Sequence, residues 1–144
     1  MSDIERLHDE LEAMFTELWQ RPRFSGARAG FRPPVDVVRT AKPPELRVVV
    51  DLAGVDPSTI QIVVDERALL IAGQRAPHHP AGRVSYHQLE IQYGPFERRF
   101  TLPEVVDPGA ARASYERGLL TIRLPIAPVP QRHERVSITI RTRR

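Results

Sequence analysis

Apolar residues recur at helical intervals only near the start of the chain, at Ile4, Leu7, Leu11, Met14, Phe15 and Leu18, with Trp19 extending the run. These positions form one stripe, and Glu5, Arg6, Asp9, Glu10, Glu12 and Glu17 occupy the opposite face. Ser2 and Glu5 have capping-box spacing, and Pro22 stops the run by pushing the residue before it out of helical backbone. A helix this short is marginal alone in water, so the stripe needs a surface to cover. The stretch that follows, "RPRFSGARAGFRPP", is a linker by composition.

From Val35 the period changes. Short β-branched runs follow one another: "VDVV" at 35–38, "ELRVVVDL" at 45–52, "TIQIVVD" at 59–65 and "ALLIAGQ" at 68–74. A loop with prolines and glycine, "RAPHHPAGR", comes next, and "SYHQLEIQ" at 85–92 reads as a strand standing inside that long loop. "FERRFTL" at 96–102, "PGAARASYE" at 108–116 and "LLTIRL" at 119–124 complete the set, the last two hinged at Arg117-Gly118. Many short strands separated by Pro, Gly and Asp turns, without helical periods between them, predict an all-β, immunoglobulin-like antiparallel β-sandwich. Pro125, Pro128 and Pro130 then favour extended backbone. The chain closes with "RVSITIRTRR", where Val136, Ile138 and Ile140 alternate with two hydroxyls. The expected organisation is an N-terminal helical arm and linker over 1–30, a β-sandwich over 31–126 and a C-terminal extension over 127–144.

Composition narrows the classes. The chain has 144 residues, 41% hydrophobic and 27% charged, enough for one domain with tails. Cysteine is absent, which excludes disulfides and thiolate metal sites and fits a reducing compartment. No apolar run is long enough to span a bilayer, and the acidic start lacks the pattern of a secretory signal, so a cytoplasmic location is expected, with no membrane partner. The formal net charge is +3, carried almost wholly by arginines scattered among acids except at "RTRR". A solvated mixed surface is therefore expected rather than a nucleic-acid footprint.

The chemistry of catalysis is missing. The chain contains no phosphate-binding loop, dinucleotide fingerprint, zinc-protease helix or nucleophile elbow. His8, His78, His79, His87 and His133 include one adjacent pair, but no third ligand stands at ligand spacing. Asp36, Asp51 and Asp65 fall at strand positions, where acids bound turns or pair with arginine. No enzyme activity, cofactor or metal is expected.

The order of parts and four stretches resemble the small heat-shock proteins, the α-crystallin family. The stretches are "FRPPVDVVRT" (31–40), "ELRVVVDLAGVDPSTIQIVVDERALLIAGQR" (45–75), "YGPFERRFTLPEVVDPGAARASYERGLLTIRLP" (93–125) and "ITI" (138–140). The third is the most specific, and the last is similar to the family's terminal I-x-I motif. The chain departs from many relatives in placing Thr139 within that motif and arginines after it. The resemblance implies an ATP-independent holdase chaperone for unfolding client proteins, built from strand-swapped dimers that assemble into larger homo-oligomers. It implies that a strand within 86–91, with Tyr86 and Gln88, pairs against Val35 and Val37 of another copy. It also implies that Ile62, Val64 and Ala113 line a groove for Ile138 and Ile140, small Ala113 leaving room for a knob; Val136 and Ile138 give an overlapping register as the alternative.

Arg98 stands out on its own terms, because Phe96, Arg98, Phe100 and Leu102 share one strand parity, so a guanidinium points with a core set. It needs a partner. Either strand twist carries it to the rim, or it makes ionic contacts near a dimer interface as the resemblance implies. The helix stripe, Leu11, Phe15, Leu18 and Trp19, is the candidate client-binding surface, since a holdase must present apolar area. The residues between Leu124 and Ile138 can span about 45 Å extended, enough to place the tail on a neighbouring copy. Two other classes are a monomeric adaptor similar to CS-domain co-chaperones and a basic nucleic-acid binder. The swapped-strand loop and the terminal motif favour the chaperone over both.

Overall fold

The computed structural model describes residues 30–127 and 135–142. The helix expected near the start of the chain lies outside the described residues. Strand β1 (Val35–Ala41) folds back on β2 (Pro44–Asp51), with Ala41 opposite Pro44 and Val35 opposite Val50. Strand β3 is Gln61–Val64, β4 Ala68–Arg75, β5 Gly94–Thr101, β6 Arg112–Glu116 and β7 Leu119–Pro125. The tail supplies β8 (Val136–Ser137) and β9 (Ile140–Thr142). They make a five-stranded sheet in the order β1-β2-β7-β6-β9 and a four-stranded sheet in the order β5-β4-β3-β8. Every pairing is antiparallel except β6 with β9.

Alternation decides which side chains meet between the sheets. Leu46, Val48 and Val50 of β2 and Leu120, Ile122 and Leu124 of β7 face Ile62, Val64, Leu69, Ile71 and Phe96 of the other sheet, all buried. Arg47, Arg123 and Arg112 stand opposite one another on the outer face. Phe96 fits because Gly73 faces it: a Cβ there would lie 2.6 Å from its ring.

Acids close the turns, as strand-end acids were expected to do. Asp65 Oδ1 accepts from the amides of Arg67 and Ala68 at 2.8 and 2.7 Å, shaping the β3–β4 hairpin. Asp56 and Asp107 cap the 3₁₀ turns Pro57–Thr59 and Pro108–Ala110 in the same way. Part of "PGAARASYE" is thus a capped turn and only its second half a strand. At the β6–β7 hairpin, Arg117 (φ 53°) and Gly118 (φ 80°) are both left-handed, the conformation a two-residue turn between twisted strands requires.

The stretch 85–92, expected to pair with another copy, is alone in the single chain. Residues 84–93 form no strand within the described chain. A strand needs a ladder, and no neighbour offers one here. The terminal strand also differs: its hydrogen bonding divides between two sheets instead of adding to one.

Sequence reading missed Glu45. It is 3% exposed and lies under the arginine row, its Oε1 accepting from Arg47 Nη2 at 2.8 Å and Arg123 Nε at 3.0 Å. Burial pushes its carboxyl up, but the bonds and charges of Arg47 and Arg123 together outweigh that and hold it below the ordinary 4.5. A depressed folded value means the ionised form stabilises the fold, and this contribution is lost as pH falls below about 4.5 through the folded pKa. Replacing Glu45 with glutamine leaves the facing guanidinia of Arg47 and Arg123 without the carboxylate they share. We expect the Glu45→Gln domain to lose about 1–2 kcal/mol at neutral pH, the loss shrinking toward zero in acid. Thermal unfolding at pH 7 and pH 3.5 checks this, and an equal deficit at both would refute it.

Candidate functional site: an edge groove filled by the terminal tail

The open side of the sandwich runs between β3 and β6, the strands that would be sheet edges without the tail. The tail closes that side. Val136 and Ser137 pair antiparallel with Val64 and Val63, and the Ile138 amide donates to the Ile62 carbonyl at 3.0 Å. The chain then crosses to the other sheet, where Ile140, Arg141 and Thr142 pair in parallel with Ala113, Ser114 and Tyr115. Val136, Ile138 and Ile140 are half-buried and packed on the core, while Ser137 and Thr139 are exposed.

Ile62, Val64 and Ala113 all line this groove, and Ile140 sits opposite small Ala113. Val136 packs too, so three knobs enter rather than the pair Ile138 and Ile140 alone. Tyr115 is a groove residue the sequence did not single out. Its hydroxyl donates to Leu52 O at 2.8 Å, and burial, with a smaller contribution from the Asp51 charge, raises its pKa. Two depressions of about 340 and 410 Å³ flank the tail, one against Asp56 and Ile60, the other against Pro108 and Ala111. The tail occupies the groove of its own chain, whereas reach alone had pointed to a neighbour.

A second region lies at the other edge. Strand β1 has β2 as its sole neighbour among the described residues, and Val37 and Val38 are exposed while Val35 is half-buried. Across the loop 76–93, Tyr86, Leu89 and Ile91 are 57%, 64% and 66% exposed. Gln88 is exposed as well. Leu89 and Ile91 were not singled out in the sequence; exposure of large apolar side chains is the signal that finds them. The loop base is pinned: His78 Nε2 meets Gly54 O at 3.0 Å, and the Arg75 guanidinium lies 3.6 Å over the Phe31 ring. His79 packs against the rings of Tyr86 and Tyr93.

Arg98 is on the inward parity of β5, opposite Ile71, and half-buried. It donates to the Pro33 carbonyl at 2.8 Å, and its guanidinium stands 5.1 Å from the Phe100 ring centre. Among the described residues no carboxylate lies within ion-pair distance of it. Burial, then the like charge of Arg32, lowers its pKa. Leu11, Phe15, Leu18 and Trp19 lie outside the described residues.

The Hsp20/alpha crystallin family pattern matches residues 39–141. The chain belongs to that family. The 19.0 kDa class II heat shock protein of Oryza sativa subsp. japonica is 35% identical, over 87% of this chain and 74% of its own length. The 18 kDa heat shock protein of Streptomyces albus G is 33% identical, over 87% of this chain and 79% of its own. Among solved structures, hspA from Xanthomonas axonopodis superposes with a TM-score of 0.62 at 32% identity, covering 71% of this chain and all 100% of the other. A small heat-shock protein from Xylella fastidiosa gives 0.60 at 33% identity, covering 72% and 95%. Membership of the small heat-shock proteins implies a chaperone role for this one.

Proposed function

We propose that this small heat-shock protein is an ATP-independent holdase that captures unfolding proteins through apolar surface and works as an assembly of strand-swapped dimers. The observation that carries the reading is the pair of complementary unfinished features on one chain. Strand β1 offers an unpaired edge, and the loop offers three exposed apolar side chains in a segment without a ladder. An open strand edge is a template for pairing with another chain. Each need is met if residues 86–91 of one copy lie along Val35–Ala41 of a second, with Tyr86, Gln88, Leu89 and Ile91 on one side and Val35 and Val37 on the other. The groove between β3 and β6 is then the second contact, taking Ile138 and Ile140 from its own chain or a neighbouring one.

Arg98 belongs to the first contact in this reading. Among the described residues its hydrogen bond goes to the Pro33 carbonyl, just before β1, and a half-buried cation beside another cation is completed by a carboxylate from a partner. Arg98→Ala is expected to weaken the dimer about tenfold or more. Analytical ultracentrifugation over a dilution series reads this, and an unshifted dissociation curve rules it out.

Clients are assigned to the stripe Leu11, Phe15, Leu18 and Trp19. The deciding experiment heats a model substrate without ATP, with and without this protein, and follows light scattering. Suppression at near-stoichiometric ratio is expected. No suppression would overturn the holdase reading.

A further inference from the structure

Besides closing the groove, the tail extends a row of charge. On the outer face of the five-stranded sheet, Arg47, Arg123 and Arg112 lie opposite one another on β2, β7 and β6. Neighbouring strands stand about 4.8 Å apart, so this row is about 10 Å long. Strand β9 then places Arg141 beside Ser114, about 8 Å diagonally from Arg112. Its side chain faces outward, since Ile140 before it packs on the core opposite Ala113. The four arginines come from separate stretches of the chain, so in sequence they read only as scattered among acids.

Within this cluster the one carboxylate is Glu45, which accepts from Arg47 and Arg123 and is buried beneath them. Its bonds hold those two guanidinia in place, so little freedom is lost when a ligand meets them. Arg112 donates to the Ala111 carbonyl at 2.8 Å, which balances none of its charge. Among the described residues no carboxylate lies within ion-pair distance of Arg112 or Arg141. Asp51 and Glu116 are four residues along their strands from Arg47 and Arg112, about 13 Å away, and Asp36 stands at the far edge on β1. The positive end of the face is therefore the end the tail completes. It is open to water: the side chains of Arg47 and Arg123 are 39% and 50% exposed, and Arg112 and Arg141 are exposed as well.

Spacing and surroundings choose among anions. An extended acidic peptide presents same-side carboxylates two residues apart, about 6.7 Å, whereas the row repeats at about 4.8 Å. Nucleic acids are read through their grooves or by stacking bases on aromatic rings. Among the described residues no aromatic side chain points outward on this sheet, and no helix or ribbon rises from it to enter a groove. Thr121 and Ser114 lie beside the row and offer hydroxyl donors. A chain of phosphates carries negative charge on every unit with nothing between, and each unit accepts two bonds from one guanidinium.

We propose that Arg47, Arg123, Arg112 and Arg141 form a binding face for a linear polyphosphate chain laid across the strands of the five-stranded sheet. Because Arg141 arrives with the tail, the face is complete only where a tail is seated. A bound chain in turn holds the tail down, the coupling being equal in both directions.

Anisotropy of end-labelled inorganic polyphosphate, titrated with the full chain over a salt series, tests this. Binding is expected to weaken steeply as salt rises. Arg112→Gln plus Arg141→Gln should weaken it at least about tenfold at low salt and flatten the log–log salt slope by about 1–2 units. Arg67→Gln plus Arg83→Gln removes the same charge from exposed positions off this face and should change affinity by less than about twofold. Arg112→Gln alone lies outside the tail, so it stays decisive if the double variant alters the mass of the assembly, and a loss of about threefold is expected. No binding by the unaltered chain, or equal losses in the two pairs, overturns the face, the second outcome reducing it to net charge. Duplex DNA or phosphatidylglycerol vesicles that bind more tightly per phosphate, with the same loss in the Arg112 and Arg141 pair, overturn polyphosphate as the occupant.

Discussion

Replacing Ile138 and Ile140 with glycine is expected to leave a folded dimer and to dissolve the larger oligomers. Neither residue helps to fill the interior of the sandwich; both lie over its open side, half-buried on Ile62, Val64 and Ala113. Full burial of such a side chain stabilises by roughly 1.5–3 kcal/mol, so each half-buried one contributes about 1–1.5 kcal/mol. Ordering each backbone residue of the tail costs about 1–2 kcal/mol, offset in part by the ladder bonds to β3 and β6. A single docked tail is therefore close to balance, and losing two of its three knobs tips it toward release. Contacts linked through many subunits multiply the effect. Multi-angle light scattering after size exclusion should show the high-mass peak replaced by a dimer. Val136 still faces Val64, so a residual population is expected that disappears when Val136→Gly is added. An unaltered elution profile for the triple variant removes the tail from the assembly mechanism.

The second large effect concerns the loop. Changing Tyr86, Leu89 and Ile91 to serine should convert the dimer into a folded monomer. In the single chain these side chains are more than half exposed, and the described contacts among them amount to the ring of Tyr86 beside His79. Their removal thus subtracts almost nothing from the sandwich itself. Against the edge of β1 on a second copy, three such side chains are worth at least about 3 kcal/mol, a hundredfold or more in dissociation constant. The expected signature is a fall in mass with an unchanged far-ultraviolet strand spectrum. Loss of mass together with loss of strand signal would place the three residues in the fold instead, and an unchanged mass would end the exchange reading.

The strands of the sandwich were legible because their chemistry is local. Alternating Leu46, Val48 and Val50 and the Arg117-Gly118 hinge each fix a short piece of backbone by propensity alone, whereas the capped turn after Asp107 reads in sequence as the start of a strand. The groove residues Ile62, Val64 and Ala113 came from the resemblance to the family and not from the pattern of the residues themselves. What escaped depends on partners distant in sequence. "SYHQLEIQ" has strand composition, but composition supplies no ladder, and the single chain leaves it unpaired. "VSITI" reads as one strand, although its halves bond to different sheets, because the side-chain period is the same for both. Glu45 looked like the ordinary start of a strand; only the cross-strand meeting of Arg47 with Arg123 makes its charge necessary.

The tail seated in its own groove has a consequence for bookkeeping among copies. Each chain carries one plug and one socket, so any population holds them in equal number. A chain that plugs itself withdraws one of each together and leaves no mismatch behind. In the proposed assembly such chains are neutral spares, which neither extend it nor cap it. Ring closure faces the same arithmetic, since a heterologous contact leaves nothing over only when the circuit returns to its start. The ratio of self-plugged to cross-plugged chains then depends on concentration, with dilution favouring the spares and crowding favouring the circuit.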